Sequence, residues 1–156
     1  MPDADPDRDL DPFDRRIAEI LSAEGRLPVT ELAARVGLSK TPTQTRLKRL
    51  VERGFIIGFR AVLSPARFGL DHVAFAEVKL ADTREATLAE FNEAVARIRE
   101  VEECHMIAGG FDYLLKIRTR DMARYRRVLG EKISALPHVA STSSYVVMQA
   151  VKDRGL

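Results

Sequence analysis

The amino-acid order predicts an α+β fold in two parts, and three observations predict it. Three short amphipathic helical patterns follow one another between residues 11 and 54. A βαββαβ succession of apolar patterns then runs from residue 72 to residue 151. A turn-like stretch, Ser64-Pro65-Ala66-Arg67-Phe68-Gly69, separates the two sets.

The first nine residues, rich in Asp and Pro, read as a disordered acidic tail. Asp11 can cap the first helix with Pro12 at its opening position, where a missing N–H costs nothing. Phe13, Ile17, Ile20 and Leu21 form its apolar stripe, and Gly25 stops it. Thr30 can cap the second helix, which presents Leu32 and Val36 and ends at Gly37. Ser39 caps the third, with Pro42 in the first turn, where backbone donors lack intrahelical partners. Leu47, Leu50 and Val51 are its expected inner seam, Thr43 turns toward that seam, and Gly54 ends the helix. Phe55–Leu63 reads as a strand.

In the second part, His72–Leu80 reads as a strand and Arg84–Arg97 as a helix with Leu88, Phe91, Val95 and Ile98 inward. Val101–Ala108 and Tyr113–Thr119 read as strands joined by the Gly109-Gly110-Phe111-Asp112 turn. Asp121 caps a helix carrying Tyr125, Val128, Leu129, Ile133 and Leu136 inward, and Pro137 ends it. Val139–Val151 is the last strand. This order is the ferredoxin-like split βαβ arrangement, with two helices on one face of an antiparallel sheet. Apolar residues fall on both faces of the strands, so the uncovered face is expected to pack on a second copy. The domains are therefore residues 10–60, a linker at 61–70, and residues 71–152.

Composition suits a globular chain: 46% hydrophobic and 31% charged over 156 residues, with no apolar run of the length needed to span a bilayer. The acidic, Pro-rich start is unlike a secretory signal, and a single cysteine, Cys104, cannot form an intrachain disulfide. A cytoplasmic, nucleoid-associated location is expected. Net charge is only +2, but residues 35 to 60 carry seven basic side chains against Glu52 alone. Such a stripe is either a solvated helix face or a surface for phosphates.

Two capped helices joined by Val36-Gly37-Leu38-Ser39 have helix-turn-helix spacing, although a three-helix dimerisation module shares it. With the seam inward, the outer face of the third helix carries Thr41, Pro42, Thr45 and Arg49. Thr41, Thr45 and Arg49 are the candidate readers of base edges. Ser39 opens the helix, while Lys40, Arg46, Lys48, Arg53 and Arg60 suit phosphate contacts.

The stretches Asp14-x2-Ile17-x2-Ile20-Leu21, Leu32-Ala33-x2-Val36-Gly37-Leu38-Ser39-x-Thr41-Pro42 and Arg46-x2-Arg49-Leu50-x3-Gly54-Phe55-Ile56 resemble the DNA-binding half of Lrp/AsnC (feast/famine) regulators. The stretches Val101-x2-Cys104-His105-Met106-x2-Gly109-Gly110-Phe111-Asp112-Tyr113, Asp121-Met122-x2-Tyr125 and Tyr145-Val146-Val147-Met148 resemble the sensor half of the same family. Within it the chain is most similar to leucine-responsive regulators and activators of proline catabolism. The resemblance implies a winged-helix-like DNA-binding domain, binding to double-stranded DNA, and dimers associating to octamers. It also implies a small amino-acid effector, proline or leucine, held where dimers meet. Gly109, Gly110, Phe111, Asp112, Met122, Tyr145 and Val147 are the implied effector residues. Chemically, Asp112 can hold the effector ammonium while the glycine backbone offers N–H groups to its carboxylate. An Asx-type turn is the other reading of Asp112.

No catalytic residue, metal site or cofactor is expected. Cys104 and His105 are neighbours on a strand and point to opposite faces. Two other functions remain on the same architecture: a nucleoid-organising protein of low sequence specificity, and a siroheme decarboxylase-like enzyme.

Overall fold

A computed structural model describes residues 10–152, so the expected acidic tail lies outside the described residues. The chain divides into two compact units between Ala61 and Val62. The first holds α1 (Pro12–Ala23), α2 (Val29–Val36) and α3 (Lys40–Glu52). Asp11 caps α1 by accepting the Asp14 N–H at 2.9 Å, with Pro12 at the helix start. Ile17, Ile20, Leu21, Leu32, Val36 and Leu50 form the core of this unit. Gly37 ends α2 in the left-handed region at φ 80°, which a side chain would resist.

Several local expectations are corrected here. Thr30 does not cap α2: Pro28 occupies the cap position in an extended conformation, and its carbonyl accepts the Leu32 N–H at 2.9 Å. Ser39 stands at the cap position of α3, but its hydroxyl makes no capping bond. Its carbonyl instead accepts the Thr43 hydroxyl at 2.9 Å, and Thr43 is fully buried. Phe13 is exposed, with the Arg46 guanidinium 5.5 Å above its ring. Val51 is exposed too; after Gly54 the chain turns back, and Phe55 and Ile56 pack on the core where Val51 was expected.

The strand expected over Phe55–Leu63 is absent. A strand needs a partner for its backbone groups, and this chain supplies none there. Ile57, Phe59, Val62 and Leu63 are consequently exposed.

The second unit contains β1 (His72–Leu80), α4 (Glu85–Val95), β2 (Val101–Met106), β3 (Tyr113–Thr119), α5 (Met122–Val128) and β4 (Val139–Val146). The sheet order is β2-β3-β1-β4, and every neighbouring pair is antiparallel. This is the expected split βαβ arrangement. A π-helical turn, Leu129–Ile133, extends α5 and delivers Ile133 to the core. β4 stops five residues before the expected Val151 because β1 runs out: Val146 lies opposite Ala74, and the Val147 N–H makes the last bond, 3.0 Å to Val73.

One face of the sheet, with Ala74, Ala76, Val78, Leu115 and Ile117, is sealed by Phe91, Val95, Tyr125 and Val128 from the helices. The other face carries no helix. By register it presents Phe75, Glu77 and Lys79 of β1, Leu114 and Lys116 of β3, and Tyr145 of β4. Cys104 lies opposite Leu115 on the sealed face, and burial pushes its thiol up to about 11. His105 lies on the other face beside Glu103, at 3.2 Å.

Candidate functional site

In α3, Thr43, Leu47 and Leu50 recur at helical spacing and point inward, which fixes the outward face. Lys40, Thr41, Thr45 and Lys48 are exposed along it, and the Thr45 hydroxyl donates to the Thr41 carbonyl at 3.1 Å. Gln44 is exposed on the flank of the same face, and sequence reasoning missed it. Its position one residue from the Thr43 seam and its two-headed amide were the available signal. Lys48 pairs loosely with Glu52, at 3.6 Å between exposed groups. Arg53 stacks on Phe55 at 5.1 Å.

Arg46 and Arg49 stand differently from the rest. Asp14 of α1 is fully buried, and its two carboxylate oxygens accept Arg46 (2.9 Å) and Arg49 (2.5 Å). Arg46 also bonds the Asp11 carboxylate, whose titration is pulled down chiefly by the Asp14 N–H. Two of the expected DNA-contacting side chains therefore bind α3 to α1. Asp14 is the functional residue that charge counting could not find, since a lone acidic residue in an acidic stretch looks like surface.

At the other candidate site, Asp112 is 8% exposed and is not an Asx turn. One carboxylate oxygen accepts the Leu80 N–H at 2.7 Å, at the end of β1, and the other lies 3.4 Å from the Lys79 ammonium. Its own backbone closes the turn, with the Ile107 N–H donating to the Asp112 carbonyl at 2.8 Å. The N–H groups of Gly109, Gly110 and Phe111 have no hydrogen-bond partner among the described residues. Neither glycine has a positive φ, and a Cβ on Gly110 would meet nothing within 4 Å. The turn thus presents three consecutive unused donors, with open space at Gly110 and the Ile107 side chain 3.6 Å from where a Cβ on Gly109 would stand.

Met122, Tyr145 and Val147 do not join that turn. Asp112 precedes Tyr113 at one end of β3, while Met122 follows Thr119 at the other. Seven strand residues separate them by roughly 20 Å, more than an amino acid spans. Val147 bonds Val73 near the Met122 end, and Tyr145 lies opposite Phe75 in mid-sheet. Met122 and Tyr145 are both about half exposed. The three histidines are also dispersed: His72 contacts Thr119, His105 contacts Glu103, and His138 contacts Glu90. Among the described residues no group of three His, Cys, Asp or Glu side chains could hold a metal. No helix among them is long and apolar enough to cross a membrane.

Comparison with known proteins accounts for both halves. Residues 10–57 match the winged helix-turn-helix DNA-binding family, and residues 73–156 match the Lrp/AsnC ligand binding domain. The chain is 68% identical to a proline dehydrogenase transcriptional activator of Rhizobium radiobacter, over 95% of each chain. It is 44% identical to the leucine-responsive regulatory protein of Escherichia coli strain K12, over 95% of this chain and 90% of that one. A transcriptional regulator from Neisseria meningitidis, solved in complex with L-Met, superposes with a TM-score of 0.87 at 30% identity, covering 93% of this chain and 94% of that one. A helix-turn-helix followed by a split βαβ sheet, matched in both halves and along nearly its whole length, places this chain in the Lrp/AsnC family of transcription regulators.

Proposed function

We propose that the chain binds specific duplex DNA through α3 and changes that binding when an amino acid, proline or leucine, occupies the turn at residues 109–112. The observation that carries the effector half is the row of three unused N–H groups beside a buried carboxylate, which complements a zwitterion. The kinship with a proline dehydrogenase activator favours proline.

On the DNA side, Thr41, Thr45 and Gln44 are placed to read base edges, Gln44 being suited to adenine. Ser39, Lys40, Lys48, Arg53 and Arg60 serve the phosphates. Arg49 and Arg46 keep a DNA role only insofar as they leave Asp14. Met122, Tyr145 and Val147 lie too far from Asp112 to share one ligand within a chain, so a second copy completes the site. The half-buried Phe75 and Leu114 and the exposed Tyr145 on the helix-free face support a dimer, which assembles further toward an octamer. Intact domains span residues 10–60 and 71–152 about the 61–70 linker, and the protein works in the cytoplasm without catalysing a reaction.

The test is a salt-controlled anisotropy titration of promoter DNA with and without proline and leucine, repeated with Asp112→Asn. Asparagine retains an acceptor for the Leu80 N–H while removing the charge. Wild-type affinity should shift with one amino acid, and the variant should bind DNA normally without responding. An unchanged response in Asp112→Asn places the ammonium elsewhere, and no response in the wild type removes the effector reading altogether.

A further inference from the structure

A groove of about 800 Å³ opens in the second unit where β3 passes into α5. Six cationic side chains line it: Arg99, Arg118, Arg120, Arg124, Arg127 and Lys132. Glu100, Glu102 and Asp121 line it as well, leaving a formal charge of +3. Those carboxylates are already committed. Glu100 holds Lys132 at 2.8 Å and Arg124 at 2.9 Å, Glu102 bonds Arg118, and Asp121 caps α5 by accepting the Arg124 N–H at 2.7 Å. Lys132, before Arg124, is what chiefly holds the Glu100 carboxyl below its usual range.

The side chains of Arg99, Arg120 and Arg127 by contrast have no ion pair or hydrogen bond among the described residues. Guanidinium groups gathered around one concavity repel each other, and a bound anion relieves that repulsion. Their planar forks suit the oxygens of a phosphate. Only Leu70 and Ala123 are apolar among the lining residues, and none is aromatic, so the groove offers charge and not stacking. Its volume is that of a small-molecule site. Duplex DNA presents a convex backbone, which meets ridges and flat faces more readily than a pocket.

We propose that this groove binds a small multivalent oxyanion of the pyrophosphate type, at the end of β3 opposite the Asp112 turn. It gives the regulator a second ligand site, of different chemistry from the zwitterion site at residues 109–112.

Calorimetric titration of the full chain with inorganic pyrophosphate at constant ionic strength tests it, alongside the exposed double variant Arg120→Gln/Arg127→Gln. Saturable binding at one per chain is expected, weakened at least about tenfold in the variant, with DNA affinity in the absence of pyrophosphate unchanged. Absence of saturation up to about 10 mM overturns the proposal, as does undiminished binding by the variant. Loss of duplex affinity in the variant would assign the groove to the DNA backbone and overturn it equally.

Discussion

Asp14 is a carboxylate with no exposed surface, held by two guanidiniums that are themselves partly in water: the Arg46 side chain is 25% exposed and that of Arg49 is 49%. Removing one member of a fully buried pair costs about 3–5 kcal/mol. Here solvent can receive the released arginines, so Asp14→Ala should destabilise the first unit by about 2–3 kcal/mol. Urea unfolding monitored in that unit measures it, and a change below about 0.5 kcal/mol would mean the clamp contributes little. Periodicity made Ile17, Leu32 and Leu50 legible as core, because burial of apolar side chains follows helical spacing. The clamp was not legible, because an ion pair across 32 to 35 residues leaves no mark at short range.

Among elements, the sheet was the most legible: β1 and β3 have the bounds that the sequence predicts. Both are central strands with a partner on each side, so local pattern and pairing agree. Phe55–Leu63 was misread because an apolar, β-branched run states a preference for strand while only a neighbour makes it one. The helix-free face of the sheet poses the same problem at larger area. Phe75, half-buried between Lys116 and Tyr145 in the register, lies near its middle. If a second copy covers this face, Phe75→Glu places a charge in the contact and should shift the protein from dimer or larger assembly to monomer in sedimentation velocity. A variant that sediments like wild type locates the interface elsewhere, since Phe75 points away from the helices and its replacement leaves their core intact.

For the molecule as a whole, the arithmetic of charge matters more than the net +2. Of the seven basic residues between 35 and 60, Arg35 is tied to Glu24 and Glu31 and Arg46 and Arg49 to Asp14; Lys40, Lys48, Arg53 and Arg60 are the phosphate contacts of the DNA reading, Lys48 pairing with Glu52 only loosely at 3.6 Å. Each phosphate neutralised contributes about −0.9 to the slope of log affinity against log salt. The slope per bound protomer should therefore lie nearer about −4 than about −6; a measured value at the steeper limit would show that DNA draws the arginines off Asp14. The same accounting bears on the Lys79 ammonium beside Asp112. A zwitterion reaching that carboxylate arrives where a cation already stands, so occupancy would be a replacement of one ammonium by another. The chain then holds its own stand-in for the ligand's positive end, and what the ligand adds is its negative one.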